Sequence, residues 1–328
     1  MKQPLVSILC ATFNQEKYIA QTIEGFLMQK ADFPIEIIIH DDASTDGTAD
    51  IVRKYEAEHP DLIKGIYQTE NQYSKKVPIW DKFIYPEAKG KYIAECEGDD
   101  YWTDPNKLQM QFNFLEGHED YVAIGHNVRI VDDDGIPMTP DNPIWNNWYN
   151  VYTNMEDRDY TLQDIENGIM CGQTCTRMFR SFIQTQQEDP NRKKIKMNHT
   201  NGDMVLSLRC FCIGKVLCSS LVVADHRKSV TNDSWTSKTY KKNMSRRNIW
   251  SLIEQEAYAN NFGIYPNFFN LQYKYIRDSI KFFKKSKKLK DFSIILGNIW
   301  IINHKVRFFK NLLKKFIRKI FPKHSTEN

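Results

Sequence analysis

The first 130 residues alternate between short, almost wholly apolar runs and longer segments whose apolar positions recur at helical spacing. The apolar runs are rich in β-branched residues and are bounded by turn residues, a pattern that predicts buried strands. Strands are predicted at residues 5–11, 35–40, 62–68 and 91–96. Helices are predicted at residues 14–30, 48–59, 77–88 and 106–116, with Asn14 as the N-cap of the first.

Strands that alternate with helices in this way favour an α/β fold with a doubly wound, mostly parallel sheet flanked by helices. In such sheets ligands bind at the carboxyl ends of the strands. Three polar segments follow directly on predicted strands, at residues 12–14 (TFN), 41–46 (DDASTD) and 97–100 (EGDD). We therefore expect these segments to converge on one crevice.

The pattern is less regular beyond residue 117. Residues 121–135 predict another strand that ends in a hairpin turn, and residues 161–170 predict a helix. Between about residues 140 and 200 Pro, Asn, Trp and Tyr predominate, which is typical of long loops. Loops of this kind often carry specificity.

Charge is distributed unevenly along the chain. The net charge is +4, but residues 271–328 hold 16 Lys or Arg against 3 Asp or Glu, which leaves a net −9 for residues 1–270. An acidic body offers no basic face for nucleic acid, so we expect no nucleic-acid partner.

No apolar run reaches the ~18 residues that span a bilayer, and the start lacks the features of a signal peptide, which predicts a cytoplasmic protein.

The seven cysteines are an odd number spread through apolar segments, which favours reduced, buried thiols. A zinc site is the alternative, but its candidate ligands do not form two CxxC pairs. Those candidates are Cys171, Cys175, Cys210 and Cys212.

The cluster Glu97-Gly98-Asp99-Asp100 places three carboxylates within four residues. Like charges packed at a strand end are unfavourable unless a cation or hydrogen-bond donors compensate them. Carboxylate oxygens suit Mg²⁺ or Mn²⁺, with phosphates and water as the remaining ligands. The alternative is a solvated acidic turn.

Asp41 and Asp42 lie at the end of another predicted strand. They could be turn residues, or their carboxylates could accept hydrogen bonds from a nucleobase or a ribose.

The three segments together resemble family 2 glycosyltransferases with the GT-A fold. The resemblance rests on SILCATFNQEKYIAQTIEGFLMQ, IEIIIHDDASTDGTADIV and GKYIAECEGDDYWTDPNKLQMQ, in that order. It implies that Thr12, Phe13, Asn14, Asp41 and Asp42 line a nucleotide pocket. It also implies that Glu97-Gly98-Asp99 corresponds to the family's metal-binding D-x-D motif, with Glu97 in place of the first Asp. Asp99 is then the expected metal ligand, and Asp100 a further donor-site candidate.

Two later segments resemble the family less closely. NGDMVLSLRCFCIGK (201–215) resembles E-D-x-x-x-W-L-R, which implies that Asp203 is the catalytic base; Gly202 replaces the Glu. VADHRKSV (223–230) resembles Y-R-x-H-x-x-S-V, which implies that His226 contacts the metal or the diphosphate, although Val223 and Ala224 replace Tyr and Arg. The alternatives are a helix-capping role for Asp203 and a structural role for His226.

The resemblance implies an inverting transfer from a nucleoside diphosphate sugar, most commonly a uridine diphosphate (UDP) sugar, to a hydroxyl of a glycan or lipid-linked acceptor. A divalent metal neutralises the leaving group and Asp203 deprotonates the acceptor. The alternatives are a non-catalytic module that binds sugar nucleotides or glycans, and a glycoside hydrolase. Aromatic residues suit sugar stacking or the core; the candidates are Trp102, Trp145, Trp148 and Trp235.

We accordingly divide the chain into a GT-A catalytic domain at residues 1–235 and a helical, basic, amphipathic region at residues 236–328. The catalytic domain comprises a nucleotide-binding part to about residue 130 and an acceptor-facing part beyond it. In the tail, apolar residues recur among Lys and Arg at 308, 312, 316 and 320. Such a helix predicts peripheral binding to an anionic membrane, here the inner face of the cell membrane. Packing on the domain or on a protein partner is the alternative.

Overall fold

The computed structural model describes residues 3–139, 155–184, 202–228 and 245–286. The chain forms two compact units. The first extends to Thr231, apart from Glu166–Gly168 and Ile195–Asn201, and the second contains those two segments and the residues from Asn232 onward. The domain boundary at residue 235 stays a prediction, since that position lies outside the described residues.

Within the described residues the first unit contains a nine-stranded sheet. The strands are β1 (Val6–Thr12), β2 (Ile35–Asp41), β3 (Ile63–Tyr67), β4 (Tyr92–Glu97), β5 (Tyr101–Trp102), β6 (Tyr121–Val131), β7 (Arg158–Asp159), β8 (Met178–Arg180) and β9 (Lys215–Arg227). All four strands predicted in the first 100 residues are confirmed. β1 and β2 are rich in β-branched residues, and such apolar runs can be buried on both faces of a parallel sheet, whereas β3 lies at the sheet edge and is only partly buried.

The strand order is β3-β2-β1-β4-β8-β6-β9-β5, with β7 also paired to β9. The pairs among β3, β2, β1 and β4 are parallel, as is the pair β6–β9, whereas β8 runs antiparallel between β4 and β6. The predicted mostly parallel sheet is therefore confirmed. The register places Thr12 opposite Asp41 and Ala11 opposite Glu97, so the three polar strand ends lie side by side as expected.

The helices of the first unit are α1 (Ile19–Leu27), α2 (Thr48–Glu58), α3 (Lys107–Gly117), α4 (Leu162–Glu166) and α5 (Gly202–Ile213). The predicted N-cap at Asn14 is wrong: Asn14 has a left-handed φ of 52°, and Tyr18 is the N-cap of α1. The helix predicted at 77–88 is reduced to a π turn (Trp80–Ile84) and a 3₁₀ turn (Tyr85–Glu87). Pro86 lacks the N–H that a continued α-helix would need.

The main core lies between the parallel strands and the helices α1 and α3. It includes Ile8 and Ile37 from the sheet, Ile23 and Phe26 from α1, and Leu108 from α3. Each fully buried side chain of this size contributes about 1.5–3 kcal/mol. This packing fixes the strands whose ends carry the polar segments.

The hairpin turn predicted after residue 131 is also confirmed. The Asp132 carboxylate accepts hydrogen bonds from the backbone N–H groups of Asp134 and Ile136, and Gly135 has a φ of 81° that favours glycine.

The second unit includes α6 (Ser245–Asn260) and α7 (Phe269–Ser286). One face of α7 is buried through Leu271, Ile276 and Ile280. The exposed side chains include four cations, Lys274, Arg277, Lys281 and Lys284. None of the helices in the described ranges is long and apolar enough to span a bilayer. The amphipathic segment predicted around residues 308–320 lies outside the described residues.

Candidate active site

The acidic cluster forms the turn between β4 and β5. Its three carboxylates, from Glu97, Asp99 and Asp100, each offer an oxygen within 4.8 Å of the others, which no other group of acidic, His or Cys residues in the described ranges matches. A Cβ at Gly98 would lie 2.5 Å from Gln15 Oε1 and 2.7 Å from Thr12 Oγ1. Glycine is therefore needed here for the turn to approach the end of β1.

The three acids differ in how they are held. Asp100 is fully buried; its Oδ2 lies 2.7 Å from His226 Nδ1, and its Oδ1 accepts the Arg227 backbone N–H at 2.9 Å. Glu97 and Asp99 are partly exposed, and no hydrogen bond from another described residue engages their carboxylates. Glu97 and Asp99 are thus open to a ligand, whereas Asp100 anchors the turn.

Burial and the crowding of negative charge shift the pKa values of the two open acids, Glu97 and Asp99. Burial, followed by the charges of Asp203 and Asp99, raises the pKa of Glu97 well above its ordinary value. Burial and the charge of Asp100 raise the pKa of Asp99 to about 6. Both shifts express the cost of placing like charges together in a partly dry site. A divalent cation would remove that cost, and an all-carboxylate donor set fits Mn²⁺ or Mg²⁺.

Asp203 lies in the first turn of α5. Its Oδ1 accepts hydrogen bonds from Thr174 Oγ1 at 2.5 Å and from Arg177 Nη2 at 2.8 Å. No hydrogen bond to Oδ2 occurs among the described residues, and the side chain is 32% exposed. Burial alone would raise the pKa of Asp203, but Arg177 and Thr174 outweigh it and hold the pKa below its ordinary value. The carboxylate is therefore ionised at neutral pH, with one oxygen locked and one open.

Arg177 connects Asp203 to the interior. Its side chain is 2% exposed and also lies 3.7 Å from Glu95, whose second oxygen accepts the Tyr85 hydroxyl at 2.5 Å. Burial raises the pKa of Glu95 to about 6, although Arg177 and Tyr85 oppose the shift. A buried guanidinium flanked by two carboxylates makes Asp203 a well-anchored group.

The predicted nucleotide residues occupy the neighbouring strand ends. Asp42 uses both oxygens to accept the backbone N–H groups of Gln72 and Tyr73, at 2.8 and 2.9 Å. Asp41 accepts the Ser44 N–H through Oδ2, and its buried Oδ1 has no hydrogen-bond partner in the described structure. Asp42 therefore holds a loop, while Asp41 keeps one buried oxygen without a hydrogen-bond partner in the described structure.

The segment after β1 is held by side-chain bonds. Asn14 Oδ1 accepts the Thr45 N–H at 2.8 Å, which ties the ends of β1 and β2 together. Thr12 donates to Gln15 Oε1 at 2.7 Å. Phe13 is 42% exposed between them. The sequence pattern located these residues, but only the structure separates Asn14, which braces the loops, from Phe13, which presents an open ring.

His226, a metal or diphosphate contact by the resemblance, and Trp102, a candidate for sugar stacking by its aromatic ring, are both engaged by protein atoms. The Nε2 of His226 lies 3.2 Å from Gln173 Nε2, so both ring nitrogens contact protein atoms, and its role as a metal ligand stays a prediction. Trp102 is 1% exposed, donates from Nε1 to the Cys175 carbonyl at 2.8 Å, and packs edge-on against Phe26. Such a ring presents no face to a sugar. Trp145, Trp148 and Trp235 lie outside the described residues.

Several site residues had no recognisable signal in the sequence. Thr174, Arg177 and Arg227 lie in mixed segments where nothing in the local pattern predicts burial beside a carboxylate. The zinc alternative has no support in the described structure, because no cysteine there belongs to a potential metal-binding cluster.

A mostly parallel sheet, flanked by helices and ending in an acidic turn beside an anchored carboxylate, defines a GT-A-type fold. Residues 7–184 match the model of the family described as glycosyl transferase family 2, and the chain belongs to this family.

Two relatives are similar to part of this chain. An uncharacterised protein of Mycobacterium tuberculosis is 41% identical over 132 residues, which are 40% of this chain and 37% of the relative. WfaP of Escherichia coli, named a UDP-Glc:α-D-GlcNAc-diphosphoundecaprenol β-1,3-glucosyltransferase, is 39% identical over 34% of this chain and 41% of the relative. The chain thus matches less than half the length of either relative.

The fold is similar to that of residues 1–349 of TarS from S. aureus, solved in complex with UDP-GlcNAc. The TM-score is 0.58 and the identity 17%, with 90% of this chain and 79% of the TarS chain covered. At this identity the likeness shows the fold alone.

Proposed function

We propose that this chain is a metal-dependent, inverting glycosyltransferase that moves a sugar from a UDP-sugar to a hydroxyl of a glycan or lipid-linked acceptor in envelope polysaccharide synthesis. One observation carries the proposal. Glu97, which clusters with the open acid Asp99, lies within electrostatic range of Asp203, whose Oδ1 is locked and whose Oδ2 has no partner in the described structure. This arrangement supplies both a site for a diphosphate-bound cation and an oriented base.

In the proposed reaction Asp203 Oδ2 takes the proton of the acceptor hydroxyl. The acceptor oxygen forms a bond to the anomeric carbon, the bond from that carbon to the diphosphate oxygen breaks, and the electron pair leaves with UDP. A divalent metal, held by Glu97 and Asp99, would supply Lewis-acid stabilisation of the diphosphate. Direct attack inverts the anomeric centre. A base of this kind contributes on the order of 10²–10⁴ in rate.

The nucleotide would occupy the adjoining strand ends. The free Asp41 oxygen suits an imide N–H or a ribose hydroxyl, and the exposed Phe13 ring suits a base face. The choice of UDP is supported by the UDP-Glc in the name of WfaP. The diphosphoundecaprenol in the name of WfaP supports a lipid-linked acceptor.

A thermal-shift titration with UDP, with and without Mn²⁺, tests the proposal. We expect stabilisation that requires the metal and is lost in Asp99→Asn, whereas Asp203→Asn should bind normally but transfer no sugar from a screened set of UDP-sugars. Glycan hydrolysis without nucleotide or metal would indicate the hydrolase instead. Binding without turnover of any nucleotide sugar would indicate a binding module, and normal turnover by Asp203→Asn would refute the base assignment.

We further propose that the protein is cytoplasmic and binds the inner face of the cell membrane peripherally. The support is the exposed cationic face of α7, formed by Lys274, Arg277, Lys281 and Lys284, followed by the basic residues of the tail. Each such cation near an anionic surface is worth about 1 kcal/mol. Replacing Lys274, Arg277 and Lys281 with Gln should weaken co-sedimentation with phosphatidylglycerol vesicles by about a hundredfold; unchanged binding would exclude a role for α7.

A further inference from the structure

The last residue of β9, Arg227, lies directly beside the acidic turn. Its side chain is 7% exposed, and the guanidinium carbon is 4.6 Å from the ring centroids of both Tyr18 and Tyr101. A planar guanidinium stacks well on aromatic faces, and contacts on two rings restrict its rotation. Tyr18 and Tyr101, which are not candidate metal ligands, therefore hold the Arg227 guanidinium in one orientation.

The contacts of Arg227 converge on the candidate metal ligands. Nη1 donates to the Asp99 carbonyl oxygen at 2.7 Å, and the backbone N–H donates to Asp100 Oδ1 at 2.9 Å. Nη2 donates to Gln21 Oε1, which belongs to α1. One residue thus ties the backbone of Asp99 and the side chain of Asp100 to a helix of the main core.

We infer that Arg227 is a positioning residue for the metal site. It fixes the backbone carbonyl of Asp99, while the partly exposed Asp99 carboxylate stays open to a cation. The inference rests on the proposed function, since it assumes that Glu97 and Asp99 bind a divalent metal. Groups that orient ligands without touching the metal typically change its affinity by 10–100-fold when removed.

The direction in which metal affinity changes when Arg227 is removed distinguishes a positioning role from a purely electrostatic one. Arg227 is a cation, so if its charge were all that mattered, removing it would strengthen the binding of another cation to the acidic turn. If Arg227 acts by holding Asp99 and Asp100 in place, removing it weakens binding despite the lower positive charge. The two explanations therefore predict opposite results for the same substitution.

The test is a Mn²⁺ titration followed by electron paramagnetic resonance, in the presence of UDP, on the full chain and on Arg227→Met. We expect Mn²⁺ affinity to fall by about 10–100-fold. The matched control is Arg158→Met, which removes an arginine bonded through both Nη atoms to the buried carboxylate of Asp164, at 2.7 Å each. The control should lose thermal stability but keep the Mn²⁺ affinity of the wild type.

Unchanged or tighter Mn²⁺ binding by Arg227→Met overturns the inference while the proposed function survives. A wild-type chain that binds no Mn²⁺ with UDP overturns both. If Arg227→Met does not fold, Arg227→Lys decides the question, because Lys keeps the charge but lacks the planar group that reaches Asp99 and Gln21 together. Arg227→Lys should also bind Mn²⁺ at least several-fold more weakly, and wild-type affinity in that variant would refute positioning.

Discussion

Lys107, the first residue of α3, gives the protein a pH-dependent stability that a single substitution can remove. The side chain is fully buried; its Nζ lies 3.9 Å from the centroid of the Trp102 ring and 3.0 Å from Gln111 Oε1. Burial lowers the pKa of Lys107 from 10.5 to about 7, with only a partial opposing effect from Cys96 and Cys175. The amine is thus largely neutral above pH 7 in the folded state and charged in the unfolded chain.

Folding therefore releases a proton from Lys107 between about pH 7 and 10.5, so the contribution of this group to stability rises with pH across that window. At 1.36 kcal/mol per pH unit, a folded-state pKa of about 7 gives a gain of about 2 kcal/mol between pH 6 and 8.5. Lys107→Met keeps an unbranched side chain of similar length and removes the titrating group. The variant should lack this gain.

Urea unfolding of the wild type and Lys107→Met at pH 6, 7 and 8.5 measures the difference. Burial raises the pKa of the neighbouring Cys96 and Cys175 thiols well above the ordinary value, so both stay protonated in the two folded chains over this pH range. Lys54→Met is the control, since Lys54 is 71% exposed and its replacement should leave the pH dependence unchanged. If the free energies of wild type and Lys107→Met run parallel with pH, the amine is charged in the folded protein and the reasoning is wrong.

Three further substitutions test the fold and the site. Gly125→Ala would place a Cβ 1.8 Å from the Cys171 carbonyl oxygen, so we expect thermal unfolding to show a loss of at least about 1–3 kcal/mol in the free energy of unfolding. Gly117→Ala is the control and should be nearly neutral, because its Cβ would meet nothing within 4 Å. Asp42→Ala should release the loop at Gln72 and Tyr73 and speed trypsin cleavage at Lys75 or Lys76; resistance equal to the wild type would contradict the role of Asp42. Trp102→Phe should cost about 1–3 kcal/mol, since the buried Cys175 carbonyl loses its donor, and a changed KM for acceptor would contradict its purely structural role.

The parallel half of the sheet could be predicted because each of its strands follows from the residues of its own short segment. The apolar runs that became β1 and β2 are nearly continuous and rich in β-branched residues, and β4 is a short, mostly apolar run that follows a turn at Gly90, a pattern that favours buried strands. Parallel pairing then brings the ends of these strands together, so Thr12, Asp41 and Glu97 could be expected at one edge before any coordinates. The helix expected at 77–88 failed for a local reason as well, the proline at position 86.

The sequence by itself thus determined the fold class, the family and the position of the acidic turn. The tertiary structure decided what each acid does there. Asp99 and Asp100 are adjacent and chemically identical, yet Asp100 is buried against His226 and Arg227 while Asp99 stays open, because the partners arrive from a strand more than 120 residues away. Hydrogen bonds and burial depend on such distant neighbours, and local periodicity carries no information about them.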